Sequence, residues 1–114
     1  MANTFKNDTK SSLVTAVITD PSATVVTAGA SATIIVLSIL ASNKASNSVN
    51  VDVYIDKGTG DDVYLIRNAP VPAGSSLELI SGNKVILEPT DKLQARSNTA
   101  TSIDLTVSYL ESTP

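Results

Sequence analysis

Cysteine, histidine and tryptophan are absent from the 114 residues, and the aromatics are limited to three Tyr and one Phe. Without thiol or imidazole there can be no disulfide, thiolate nucleophile, Ser-His-Asp triad, CxxC or HExxH zinc site, or imidazole acid–base catalyst. The expectation is a protein that is not an enzyme and uses no cofactor. Missing cysteine fits either redox compartment. An excess of positive charge is also lacking: eight Lys and Arg face eleven Asp and Glu, a net charge of −3. That sign does not attract a nucleic-acid backbone, so no nucleic-acid partner is expected. The longest apolar stretch, Thr33 to Ala41, falls far short of the roughly twenty residues a bilayer-spanning helix needs, and no membrane partner is expected. The opening residues Met1 to Asp8 carry no apolar core after their charges, which predicts no secretory signal and synthesis in the cytoplasm.

What is present is a chain able to fold. Its hydrophobic content of 42% suffices for a core, whereas a disordered chain combines low hydrophobicity with high net charge. About a quarter of the residues are Ser or Thr and the apolar set is mostly Val, Ile, Leu and Ala, a composition that favours pleated sheets. In Val49 to Asp56, Val49, Val51, Val53 and Ile55 alternate with Asn50, Asp52, Tyr54 and Asp56, the period of a half-buried strand. Ile103, Leu105, Val107 and Tyr109 alternate in the same way with Asp104, Thr106 and Ser108. Shorter strands are predicted at Leu13–Thr19, Asp62–Arg67, Leu77–Ile80, Lys84–Leu87 and Lys92–Ser97. They are bounded by turn chemistry such as Asp20-Pro21, Pro72-Ala73-Gly74, Ser81-Gly82-Asn83 and Glu88-Pro89. With no helical periodicity, this spacing predicts an all-β chain: a single β-sandwich, jelly-roll or immunoglobulin-like, of seven to nine mostly antiparallel strands. The expected organisation is a flexible N-terminal arm over residues 1–12, the sandwich over 13–111 and a short tail over 112–114. No period is visible in the arm, whose single large apolar side chain is Phe5. Such a segment is expected to order on a neighbouring molecule with Phe5 as anchor, or else to pair with its own sheet while Phe5 caps the core.

Few constellations could carry chemistry. Asp56, Asp61 and Asp62 surround Gly58-Thr59-Gly60, which makes them weak candidates for a hard cation, with a solvated hairpin loop as the competing reading. The glycines match no phosphate loop, since neither a Gly-Lys-Ser/Thr ending nor a helix follows. Tyr54 and Tyr64 are candidate partner contacts, with simple cross-strand packing as the alternative. Arg67 and Arg96 read as isolated exposed charges. Ser31 to Ala41 is apolar on both sides: strict alternation places Ile34, Val36 and Leu40 on one face and Ile35, Leu37 and Ile39 on the other. Such a strand is either covered on its second face by a loop or the arm, or it is a subunit interface. The candidate interface set is Phe5, Ile35, Leu37, Ile39, Tyr54 and Tyr64.

The succession Asn68-Ala-Pro-Val-Pro-Ala-Gly-Ser-Ser-Leu-Glu-Leu79, Lys84-Val-Ile-Leu-Glu88, Asp91-Lys-Leu-Gln-Ala95 and Ile103-Asp-Leu-Thr-Val-Ser-Tyr-Leu-Glu111, with the opening Met-Ala-Asn-Thr-Phe-Lys-Asn, resembles the small all-β virion structural proteins of tailed bacteriophages. The resemblance implies a non-enzymatic particle component present in many copies, hence a homo-oligomer located in the virion and bound to other capsid, neck or tail proteins. A capsid decoration or cement subunit is the first expectation. A neck, tail or baseplate component is the second, and a receptor- or glycan-binding module the third.

Overall fold

A computed structural model describes residues 2–58, 60–80 and 83–114. Parts of two expected turns, Thr59 and Ser81-Gly82, lie outside the described residues, as does Met1. The strands are β1 (Ala2–Lys10), β2 (Thr24–Thr27), β3 (Thr33–Asn43), β4 (Val49–Asp56), β5 (Val63–Val71), β6 (Ser76–Glu78), β7 (Val85–Leu87), β8 (Lys92–Ser97) and β9 (Ile103–Thr113). A 3-10 turn, Pro21–Ala23, is capped by Asp20, whose carboxylate accepts the Ser22 N–H at 2.9 Å.

Two antiparallel sheets form, in the orders β1-β9-β3-β6 and β2-β8-β4-β5. β7 also pairs with β3, at Ile34–Val36, while β6 pairs at Leu40–Ser42. Both therefore lie along one edge of β3 and act as a single interrupted strand. Counted so, the first strand pairs with the last, the second with the last but one, the third with the interrupted strand and the fourth with the fifth. That is one long hairpin rolled into two sheets, the jelly-roll topology, and it decides against the immunoglobulin-like alternative. Gly74 makes the turn into β6, at φ +68°, where a side chain would be strained.

The core lies between the sheets. Val49, Val51, Val53 and Ile55 of β4 and Ile103, Leu105, Val107 and Tyr109 of β9 all point inward, as their alternation predicts. β3 does not alternate throughout. Val36 pairs with Tyr109 but Ser38 pairs with Ser108, so Leu37 is one extra residue, a bulge. Ile34 and Val36 face inward before it; Ile39, Ala41 and Asn43 face inward after it. The expectation that Ile39 shares a face with Ile35 and Leu37 is thereby corrected: Ile39 is fully buried and Leu40 is exposed. The sequence pattern has no mark for an inserted residue, so strict alternation carried the wrong phase past Leu37.

Three further expectations change. Leu13–Thr19 is not a strand; it runs across β8, whose residues take up its carbonyls. Ser97 N–H donates to Val14 O (3.0 Å), and the Arg96 guanidinium donates through Nε to Ala16 O (2.8 Å) and through Nη2 to Thr15 O (3.1 Å). Arg96 is therefore no isolated charge. Its Nη1 also pairs with the buried Asp52 carboxylate at 2.9 Å, and Asp52 accepts the Asn68 N–H at 2.6 Å where β5 bulges. Finally, residues 2–10 of the expected free arm are β1, paired with β9 from Ala2↔Thr113 to Lys10↔Leu105. Backbone pairing at a sheet edge needs no apolar period, which is why the pattern did not disclose it.

The bulge makes a sharp prediction. Ile39→Ala should cost about 2–5 kcal/mol in urea unfolding and Leu40→Ala about 1 kcal/mol or less. The opposite order would restore strict alternation through β3.

Candidate functional site

The outer face of the β1-β9-β3 sheet carries exposed apolar side chains that lie in register with one another. Directly opposed residues in an antiparallel sheet share a face. Phe5 opposes Leu110, Leu110 opposes Ile35, and Ile35 opposes Ile86, so four apolar side chains form a row across β1, β9, β3 and β7. Phe5 is 77% exposed and Ile86 49%, while Leu110 and Ile35 are half-buried by their neighbours in the row. The bulged Leu37 stands beside them and, with Phe5, Lys6, Asn7, Ser108 and Tyr109, lines a shallow open depression of about 330 Å³.

Around the row the face is polar but scarcely charged. Asn3, Asn7 and Thr9 of β1 oppose Ser112, Ser108 and Thr106 of β9, and Ser38 and Ser42 continue across β3. Two carboxylates rim it, and both are engaged within the fold. Glu78 accepts the Ile39 and Ile80 N–H groups at 3.1 Å each, patching the ladder where β6 ends. Asp104 holds Lys44 at 2.9 Å and accepts the Ser12 N–H at 2.9 Å; the lysine hydrogen bond, then the backbone one, lower its carboxyl below the usual range. Loss of charge from the middle of an apolar patch is the compositional mark of an interface core, and nothing in this depression converges as a nucleophile and base would.

On its inward side, β1 carries Thr4, Lys6, Asp8 and Lys10. Lys6 pairs with Glu111 at 2.7 Å, and Asp8 accepts the Tyr109 hydroxyl at 3.0 Å. Burial, then that hydrogen bond and the Asp8 charge, push the Tyr109 phenol up to about 12.

The structure brings Phe5, Ile35 and Leu37 together and adds Leu110 and Ile86, which sequence reasoning missed. Leu110 continues the alternation of β9 one residue beyond Tyr109, so extending the period would have found it. Ile86 sits on a strand of three residues, too short to display a period. Tyr54 and Tyr64 belong to the other sheet. They oppose each other in register, with ring centroids 5.0 Å apart at 69°, and the Arg67 guanidinium carbon lies 5.1 Å from the Tyr64 centroid. Their contact is the edge-to-face cross-strand packing of an aromatic pair. Asp56, Asp61 and Asp62 do not converge: among the described residues no group of three His, Cys, Asp or Glu is placed to hold a metal. Asp62 instead accepts the Lys57 N–H (2.8 Å) and the Tyr54 hydroxyl (3.1 Å), closing the hairpin end. The Lys57 ammonium turns the other way, to Asp91 and Glu88 at 2.6 Å each, and its pKa is raised by those two hydrogen bonds.

No protein-family model matches the chain, and no curated protein matches it either. Among solved structures, a crystal structure described as a pentameric capsid protein isolated from metagenomic phage sequences is similar at a TM-score of 0.33 and 17% identity, over 97% of this chain and 61% of that one. This chain thus spans less than two thirds of that protein's length. At this distance the functional reading falls to the chain's own topology and surface.

The Tyr109–Asp8 contact predicts alkaline behaviour. A folded pKa of about 12 against an ordinary 10.0 means the fold prefers the protonated phenol. The associated stability is present below pH 10 and lost as pH rises from 10 to 12. Over that window Tyr109→Phe should lose about 2–3 kcal/mol less than the parent in chemical denaturation. Equal losses would mean that the phenol is not held protonated by the fold.

Proposed function

We propose that the chain is a non-enzymatic structural subunit of a bacteriophage particle, present in many copies, and specifically a capsid decoration or cement protein. It seats the Phe5–Leu110–Ile35–Ile86 face on a neighbouring virion protein. The observation that carries this reading is that row: a scarcely charged, partly apolar face on an open sheet, in a fold whose other sheet is crossed by the chain's own 13–20 segment. Exposed apolar surface that is contiguous rather than scattered marks an interaction site.

The jelly roll is a fold of viral capsid domains, and also of lectins and cupins, so topology alone does not choose among them. Composition helps: a histidine-free chain cannot build an imidazole metal centre, and the exposed Tyr64 is engaged with the half-buried Tyr54 and with Arg67 rather than held open as a sugar platform. The resemblance of the opening residues and of most of residues 48–111 to small phage virion proteins supports the same reading. A many-copy subunit binds through repetition, so a modest face suffices at each position.

Quantitative mass spectrometry of purified particles tests the proposal. Copies on the order of hundreds per particle are expected for a decoration protein. A count of about five to a dozen would overturn decoration in favour of a neck or tail ring, and absence from particles would overturn the virion reading. Ile35→Asp and Ile86→Asp, both on the outer face, should remain folded by circular dichroism and fail to join the particle. Incorporation at the parent level would contradict the assignment of this face.

A further inference from the structure

We propose that β1 is an exchangeable strand, which docks on the β9 edge of a second copy of this chain and so ties neighbouring subunits together. The proposal deepens the many-copy reading above by naming the partner of one edge.

β1 is built unlike the other long strands. It pairs with β9 over nine register positions, yet none of its side chains enters the core. Its inward residues, Thr4, Lys6, Asp8 and Lys10, are polar, and its only large apolar side chain, Phe5, faces out. What holds β1 is therefore the backbone ladder to β9, the Lys6–Glu111 pair, the Tyr109–Asp8 hydrogen bond and the outer-face pairing of Phe5 with Leu110. All of these partners belong to β9. A β1 arriving from another copy would remake every one of them in the same register, which is the condition under which strand exchange costs little beyond association entropy.

The chain also supplies a pivot. Ser12, a non-glycine residue two positions past the end of β1, has φ +57°, and both its N–H and its hydroxyl are engaged. Its N–H donates to Asp104 at 2.9 Å and its hydroxyl accepts from the Lys44 ammonium at 2.8 Å. One residue on, Leu13 is buried and its N–H donates to Ile103 O at 2.7 Å. Residues from Ser12 onward thus stay with their own sandwich, and Ser11, between Lys10 and the pinned Ser12, is where β1 can swing away. In the exchanged arrangement Phe5 completes the apolar row of the neighbour, so the open face of each subunit spans two chains.

A cysteine-free chain allows a direct test. Thr9 and Thr106 oppose each other across β1 and β9, as do Asn7 and Ser108, and both pairs lie on the outer face. Thr9→Cys and Thr106→Cys are co-expressed as two separately tagged single variants, the assembled protein is mildly oxidised, and disulfide-linked peptides are mapped by mass spectrometry. Exchange predicts a position 9 to position 106 disulfide between chains carrying different tags, repeated for Asn7→Cys with Ser108→Cys. Absence of the interchain link at both pairs overturns the proposal. So does a 9-to-9 link alone, which would mean that β1 edges meet without exchange. Copy number on particles is read independently of either result, so failure of strand exchange is distinguishable from failure of the virion reading.

Discussion

The bulge at Leu37 is the constraint on which the rest of the molecule depends. β3 lies inside its sheet, paired with β9 along one edge and with the short strands of the β6–β7 line along the other. Eleven residues of Ile, Val, Leu, Ala and small polar side chains could sit with either face inward, because both faces are apolar. Inserting one residue resolves the ambiguity differently at the two ends. Ile34 and Val36 are buried at one end and Ile39 and Ala41 at the other, while Ile35, Leu37 and Leu40 are left outside. The core is filled, and the surplus of apolar side chains is concentrated where β1 brings Phe5 and β7 brings Ile86.

The two sheets are finished in different ways. The β2-β8-β4-β5 sheet is closed by the segment after β1, which Arg96 and the buried Asp52 clamp down by backbone hydrogen bonds and one ion pair. Removing either partner would strand a buried charge, a costlier loss than that of an exposed ion pair. The β1-β9-β3 sheet has no such cover among the described residues, and its edge strand is held by backbone pairing, two polar contacts and the outward Phe5–Leu110 pair, with no side chain in the core. A subunit with one face closed on itself and the other open is suited to sit on something larger. An edge strand that contributes nothing to its own core can be shared without loss of that core.

Much of the fold was legible in the sequence, because β4, β8 and β9 obey a strict period of two between clear turn signals. The interaction face was only partly legible. Phe5 and Ile35 could be singled out as apolar residues with no place in a one-sided pattern. Ile39 was assigned to the wrong face because a bulge is an insertion in register, visible only against a partner strand. β1 was hidden because it is stabilised by main-chain pairing, which any sequence can make. Arg96 looked isolated because its partners, Asp52 and the carbonyls of Thr15 and Ala16, are brought to it only by the folded sheet. The separation of Tyr54 and Tyr64 from Phe5 follows from the roll, which puts β4 and β5 in one sheet and β1 in the other.

The central claim is that the open face of the β1-β9-β3 sheet is the one buried on assembly. Hydroxyl-radical footprinting of the isolated subunit and of the purified particle tests it directly. The account predicts that Phe5, Leu37, Leu110 and Ile86 become protected in the particle while Val17 and Tyr64, on the other sheet's side, react as before. Protection of Val17 and Tyr64 with Phe5 and Ile86 unchanged would contradict it.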